Sequence, residues 1–196
     1  MTAQIFSLTD PAERYAALPS LARLRLTVFR EWPYLYDGTE NYEEAYLHEF
    51  MEEPGSVLVI AKVDEKTVGA ATASPMAGQK KMFRAPFIKC GFDLEHLFYF
   101  GESVLLPEYR GLGIGHGFFD AREAAARAAG ATHACFCAVI RPADHPLRPE
   151  DARDLHPFWR TRGYAPMEHV VTGFDWKDID QPQESAHPMQ YWIRAL

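Results

Sequence analysis

The chain is poor in the features that mark several large protein classes. It holds three cysteines in 196 residues, too few for the disulfide framework of a small secreted domain. No His/Cys cluster has metal-ligand spacing, so no metal site is expected. Cys135 and Cys137 flank Phe136 in an apolar run, and a strand there would carry both thiols on one face as core residues. Met1-Thr2-Ala3-Gln4 has neither the basic nor the apolar region of a secretory leader, which points to a cytoplasmic protein. No apolar stretch approaches the roughly 20 residues that span a bilayer, so no membrane association is expected. Internal repeats and low-complexity segments are missing as well. So is any surplus of positive charge: the formal net charge is −7, which argues against a nucleic-acid partner and suits neutral or cationic ones.

What remains is an ordinary globular composition, of a length that suits one buried core and a single domain over 1–196. Ser20 can cap a helix in which Leu21, Leu24 and Val28 recur at helical spacing, ending before Pro33. An acidic helix is expected over about 42–51. Val57-Leu58-Val59-Ile60-Ala61, a turn at Asp64-Glu65-Lys66 and Thr67-Val68-Gly69-Ala70 read as a hairpin. The segment 78–91 is basic and broken by Pro86, and its pattern assigns no element. A strand over 96–106 runs into glycines and then a helix over 112–129, whose Ile114, Phe118, Ala121 and Ala125 form one stripe before Gly130 stops it. A strand over 132–139, a proline-rich loop over 141–149, a short helix over 154–162 and strands over 166–176 and 189–195 complete the order. Helices, antiparallel strands and then a β-α-β unit describe one mixed-sheet α/β (α+β) domain.

The informative stretch is Pro107-Glu108-Tyr109-Arg110-Gly111-Leu112-Gly113-Ile114-Gly115-His116-Gly117. A strand ends, glycines let a ligand approach the backbone, and a helix begins with unpartnered amides and the positive end of its dipole. That combination binds phosphate. A Rossmann reading from Gly113 would place Phe118 at its third glycine, and a Walker A loop would need a Lys that this turn does not contain.

Arg110-Gly111-Leu112-Gly113-Ile114-Gly115 resembles the acyl-CoA pyrophosphate loop of the GNAT acetyltransferases, Arg/Gln-x-x-Gly-x-Gly/Ala, and Pro107-Glu108-Tyr109 matches the spelling before it. Phe158-Trp159-Arg160-Thr161-Arg162-Gly163-Tyr164 resembles the family's late signature, an aromatic pair followed after three residues by Gly-Phe/Tyr. The resemblance implies a mixed, mostly antiparallel sheet splayed at the acyl-CoA site. It also implies N-acetyltransfer from acetyl-CoA, without a metal, to a primary amine of a small molecule, and it allows a homodimer. The amides of Leu112, Gly113, Ile114, Gly115, His116 and Gly117 would then hold the pyrophosphate, with Arg110 and Gly111 beside them. Backbone groups around Val104, Leu105 and Leu106 would bond the pantetheine arm.

A protonated amine needs a base, and Glu102 stands where many members carry Glu. Trp159 replaces the Tyr that protonates the leaving thiolate in many members, and an indole is not an acid. Tyr164, Tyr99 and His156 are the replacements in view, and a non-catalytic acyl-CoA-binding sensor or scaffold is the competing reading. The link Trp32-Pro33-Tyr34-Leu35-Tyr36-Asp37-Gly38 corresponds to the family's acceptor wall. Tyr34, Tyr36 and Asp37 there would suit a cationic amine. Glu40, Glu43, Glu44 and Glu49 read mainly as a solvated helix face, and Lys80, Lys81, Arg84 and Lys89 as an exposed loop.

Overall fold

Asp10 starts the first helix. Its carboxylate accepts from the Ala12 and Glu13 amides at 2.9 and 3.2 Å, and Pro11 opens helix α1, Pro11–Phe29. Ser20 is therefore not the cap but an interior residue. Asp10-Pro11 is the stronger start signal, and the helix continues through Pro19 because Leu18, Leu21, Ala22 and Leu24 are buried against the sheet. The computed structural model describes residues 3–196.

The strands are β1 (Gln4–Leu8), β2 (Val57–Val63), β3 (Lys66–Pro75), β4 (Leu97–Leu105), β5 (His133–Val139), β6 (Ala165–Lys177) and β7 (Glu184–Ala195), and the remaining helices are α2 (Glu40–Glu52), α3 (Lys81–Lys89), α4 (Ile114–Ala128) and α5 (His156–Thr161). They form one seven-stranded sheet in the order β1-β2-β3-β4-β5-β7-β6. All neighbours are antiparallel except β4 and β5. The mixed, mostly antiparallel sheet matches the sequence reading. Strand β1 and helix α3 are additions to it: β1 is short and unframed by turn signals, and Pro86 hides a helix that buries Phe87.

Alternation along the strands sorts the two faces. Leu58, Ile60, Ala70 and Val104 pack under α1 and α2. Val57, Val59, Ala61, Val68 and Ala71 pack on Ile114 and Phe118 of α4. Tyr99, Cys135, Cys137 and Tyr191 share a cluster with Phe83 and Phe87 of α3. The segment 78–91 is thus not an exposed loop but a cover for that part of the sheet. Phe100, Phe136 and Trp192 pack with Phe158 and Trp159 of α5.

Two irregularities position the site. First, β4 and β5 pair only at Leu97/His133, Phe98/Ala134 and Tyr99/Cys135, so the strands diverge from Phe100 onward. Second, β4 carries a bulge: Ala71 stands opposite Ser103, but Ala73 opposite Phe100. The extra residue reverses the alternation. Phe98 and Phe100 belong to the cluster containing Phe119 of α4, whereas Val104 lies under α1 and the Glu102 carboxylate meets Arg25 of α1.

Candidate active site

The divergence of β4 and β5 leaves backbone groups without a strand partner. The Leu106 amide donates to the Val68 carbonyl at 3.0 Å. In an antiparallel ladder the bonded positions alternate, so Val104 and Leu106 point their polar groups at β3. Ser103 and Leu105 point theirs into the divergence. This corrects the expected trio of Val104, Leu105 and Leu106: of the three, Leu105 faces the opening, and Ser103 joins it.

At the end of β4, Gly111 and Gly113 adopt φ of 79° and 81°, a left-handed conformation that a Cβ would strain. Neither would place a Cβ within 4 Å of other atoms, so the conformation alone requires glycine there. Gly113→Ala is expected to lower stability by about 1–2 kcal/mol, read as a lower thermal midpoint. Helix α4 begins at Ile114 with no side-chain cap. The Gly117 amide donates to the Gly113 carbonyl at 3.2 Å, so the run of available amides ends at His116 rather than Gly117. The remaining loop residues serve packing. Gly117 leaves room for Ile5 of β1, the His116 ring meets Phe158 edge-on at 4.9 Å, Ile114 is core, and Leu112 stands exposed. Arg110 donates to the Leu105 carbonyl at 3.1 Å and pairs with Glu31 at 2.9 Å. Both partners of that pair are well exposed, so the pair is weak and the guanidinium can turn to a phosphate at little cost.

On the α1/α2 face, the mouth of the divergence holds a buried ion cluster. Arg25 pairs with Glu43 of α2 and, through Nη1, with Glu102 Oε2 at 3.0 Å. Its guanidinium also lies over the rings of Tyr46 and Phe29, at 4.5 and 5.0 Å. Burial works against its charge, but Glu102, Tyr46 and Glu43 more than offset this and raise its pKa. Glu43 is 0 % exposed, not part of a solvated helix face. Burial, then Cys137 and Glu102, raises the phenol of Tyr34; burial, then Glu43, raises Tyr36; burial, then Glu102, raises Tyr46. All three hydroxyls are neutral at physiological pH.

The link that carries Tyr34 and Tyr36 is tied down by residues at and beyond the ends of β5 and β6. Arg141, just after β5, donates to the Pro33 and Tyr34 carbonyls at 2.8 and 2.6 Å and pairs with buried Asp178 at 2.6 Å. Trp176 Nε1 donates to the Tyr34 carbonyl at 3.0 Å. Asp37 accepts from Arg30 and Lys177, both at 2.8 Å, and these bonds hold its pKa below the usual carboxylate value. It braces the link against β6; the carboxylates grouped with the tyrosines are Glu43 and Glu102. Sequence reasoning missed Arg25, Tyr46 and Arg141. Only Arg25 left a signal, as a cation beside Leu21, Leu24 and Val28 on an apolar helix stripe, where it must find a buried carboxylate.

Among the described residues no group of three or more His, Cys, Asp or Glu is placed to hold a metal, and no helix is long and apolar enough to cross a membrane.

A strand pair that opens beside a glycine-led helix N-terminus is the architecture expected from the pyrophosphate-loop motif. The family model for the Acetyltransferase (GNAT) family matches residues 21–149. The chain belongs to the GNAT acetyltransferase family. No curated protein matches its sequence significantly. Solved structures share the fold at low identity. A ribosomal-protein-alanine N-acetyltransferase from Brucella melitensis is 13% identical with a TM-score of 0.63, covering 98% of this chain and 99% of that one. An acetyltransferase from Streptococcus agalactiae is 16% identical with a TM-score of 0.57, covering 99% and 98%. An aminoglycoside 6'-N-acetyltransferase complexed with coenzyme A is 16% identical with a TM-score of 0.57, covering 100% and 97%.

Within this GNAT fold the three replacements for the usual acid Tyr fall in different places. Tyr164 is core, its hydroxyl donating to Glu123 at 3.3 Å. His156 lies against Trp159 and Trp192. Tyr99 alone reaches from β4 across to β5, in the cluster under α3, its hydroxyl 3.2 Å from Cys137 Sγ. Burial, then Cys137, raises the Tyr99 phenol, and burial pushes the Cys137 thiol up to about 12, so both are protonated at neutral pH. Trp159 itself packs against Phe136 and Trp192 at 5.0 and 5.1 Å as part of the wall.

Proposed function

We propose that this protein transfers an acetyl group from acetyl-CoA to a primary amine of a small, cationic molecule. The observation that carries the reading is the opening of β4 from β5 beyond Tyr99/Cys135, set beside the uncapped N-terminus of α4. The fit to acetyl-CoA rests on chain groups alone: the amides of Leu112 to His116 for the pyrophosphate, Arg110 as a mobile countercharge, and the inward-facing backbone of Ser103 and Leu105 for the pantetheine arm.

Acetyl-CoA supplies the thioester, whose carbonyl carbon forms the new bond to nitrogen while the C–S bond breaks. Glu102, fixed by Arg25, takes the proton from the attacking amine directly or through one water. A β4 amide facing the opening polarises the carbonyl; removing such a donor costs roughly 10²- to 10³-fold in rate. The Tyr99 hydroxyl, protonated and on β4 beside Cys137, would return a proton to the leaving thiolate, a modest demand because thiol pKa values are only about 8.5. Two carboxylates against one guanidinium, ringed by Tyr34, Tyr36 and Tyr46, favour an acceptor that arrives as an ammonium ion.

Acetyl-CoA and CoA are expected to raise the thermal midpoint, because they bind the native state, and ATP and NAD are expected not to. Thiol release should then accelerate with spermidine, putrescine or tyramine and not with glutamate. Absence of a midpoint shift at millimolar acetyl-CoA would remove the cofactor site, and acceptance of acidic amines alone would remove the cationic acceptor. The second reading, an acyl-CoA sensor or scaffold, is favoured by Trp159. It predicts the midpoint shift with no amine able to accelerate thiol release.

A further inference from the structure

The bulge that turns Glu102 toward the α1/α2 face is not self-supporting. Its extra residue leaves ladder groups unpaired, and the structure shows what meets them. Thr72 Oγ1 accepts from the Glu102 amide at 3.1 Å. From the opposite side of the sheet, Arg122 of α4 donates through Nη1 to the carbonyls of both Thr72 and Glu102 at 3.4 Å, while its Nε bonds the Phe118 carbonyl of its own helix at 3.1 Å. Arg122 is 1% exposed and its guanidinium sits between the rings of Phe100 and Phe119, at 4.5 and 4.9 Å.

This is an unusual place for a cation. Burial lowers Arg122 to about 10, and among the described residues it forms no salt bridge, whereas Arg25, Arg141 and Arg162 nearby each have a carboxylate. A buried unpaired charge is costly unless fixed dipoles replace its lost hydration. The groups that do so here are the two bulge carbonyls, the Phe118 carbonyl and the two ring faces, with the Glu102 and Glu123 carboxylates adding a favourable field. Any apolar side chain would fill the same space between Phe100 and Phe119 without that cost. What an apolar residue could not do is hold the Thr72 and Glu102 carbonyls together from behind.

We propose that Arg122 is the positioning residue for Glu102: it clamps the β4 bulge from the α4 side and so keeps the carboxylate on the acceptor face, in reach of Arg25. The inference rests on the reading of Glu102 as the base. Arg122 touches neither the acceptor nor the thioester and acts only through the backbone it holds. A displacement of about 1 Å at a reacting group can cost about 10²-fold in rate, so loss of the clamp is felt in turnover and not in cofactor binding.

The test compares Arg122→Met, Arg122→Lys and Gly101→Ala with Glu102→Gln, using acetyl-CoA and the most active amine of the panel above. Gly101→Ala strains the same bulge without touching Arg122, since a Cβ there would collide with Thr72 Oγ1. The expected result is a fall in kcat of about 10- to 10²-fold for Arg122→Met, with KM for acetyl-CoA and the acetyl-CoA midpoint shift unchanged. The acid limb of the pH–rate profile should move with it, and Arg122→Lys should recover part of the rate. The Glu102 amide should exchange faster in the variants while the Val59 amide in β2 does not. If Arg122→Met does not fold, Arg122→Lys carries the test with a smaller fall in kcat at unchanged KM for acetyl-CoA, and Gly101→Ala shows whether the bulge itself sets kcat. Folded Arg122 variants with wild-type kcat and an unmoved acid limb would overturn the inference while an impaired Glu102→Gln left the base standing. A fully active Glu102→Gln would overturn both.

Discussion

Glu102→Gln is expected to lower kcat by about 10²- to 10⁴-fold while leaving the acetyl-CoA midpoint shift intact. The substitution keeps the volume and one acceptor oxygen for Arg25, whose charge is still met by Glu43, while it removes the Glu102 charge and its capacity to take a proton. Glu102 is 9% exposed and has Arg25 Nη1 3.0 Å from its Oε2, which fixes the carboxylate on the α1 face of the sheet. The proposed cofactor contacts lie elsewhere, at the α4 N-terminus and the edge of β4, so the two readouts should separate cleanly. Turnover within about threefold of wild type, far inside the general-base range, would remove Glu102 from the mechanism. The proton would then have to leave through solvent or another group.

Arg25→Met is expected to be strongly destabilising. It leaves Glu43, fully buried, without its cation, and takes from Glu102 its ion-pair partner. Removing one member of a buried pair costs about 3–5 kcal/mol, which for a chain of this size lowers the thermal midpoint by about 6–20 °C. The double variant Arg25→Met/Glu43→Leu should recover part of the loss, because the fully buried Glu43 charge is then gone and only Glu102 is left without its cation. A single variant within about 1 kcal/mol of wild type, the range of exposed pairs, would mean that Glu43 is hydrated after all. The same pair of variants separates stability from catalysis. The double variant should fold yet remain slow, since Glu102 keeps its place on the bulge but loses the group that orients it.

Much of this architecture was readable along the chain. The turn at Asp64-Glu65 and the stop at Gly130 depend on local backbone conformation, and both show it: φ is positive at all three residues. The stripe of Ile114, Phe118, Ala121 and Ala125 packs where its period places it. Ser20 has the chemistry of a cap and precedes the apolar period, yet α1 starts at Pro11, and burial of Leu18 and Leu21 carries the helix through Pro19. Glu40, Glu43, Glu44 and Glu49 look alike in sequence, and nothing local distinguishes the one that Arg25 draws into the core.

The sequence by itself determined the family, most of the order of elements and the glycine-led start of α4 with its free amides. These rest on short-range facts: glycine's access to positive φ, a helix's unpartnered first amides, and the two periodicities of apolar residues. Tertiary structure alone decided which face Glu102 occupies, which carboxylates lose their water and which backbone groups of β4 face the opening. A single bulged residue opposite Thr72 reverses every side chain beyond it. The hold on that bulge comes from Arg122, 20 residues away on another element. Side-chain direction within a strand is set by cross-strand register, and register is a property of two strands at once.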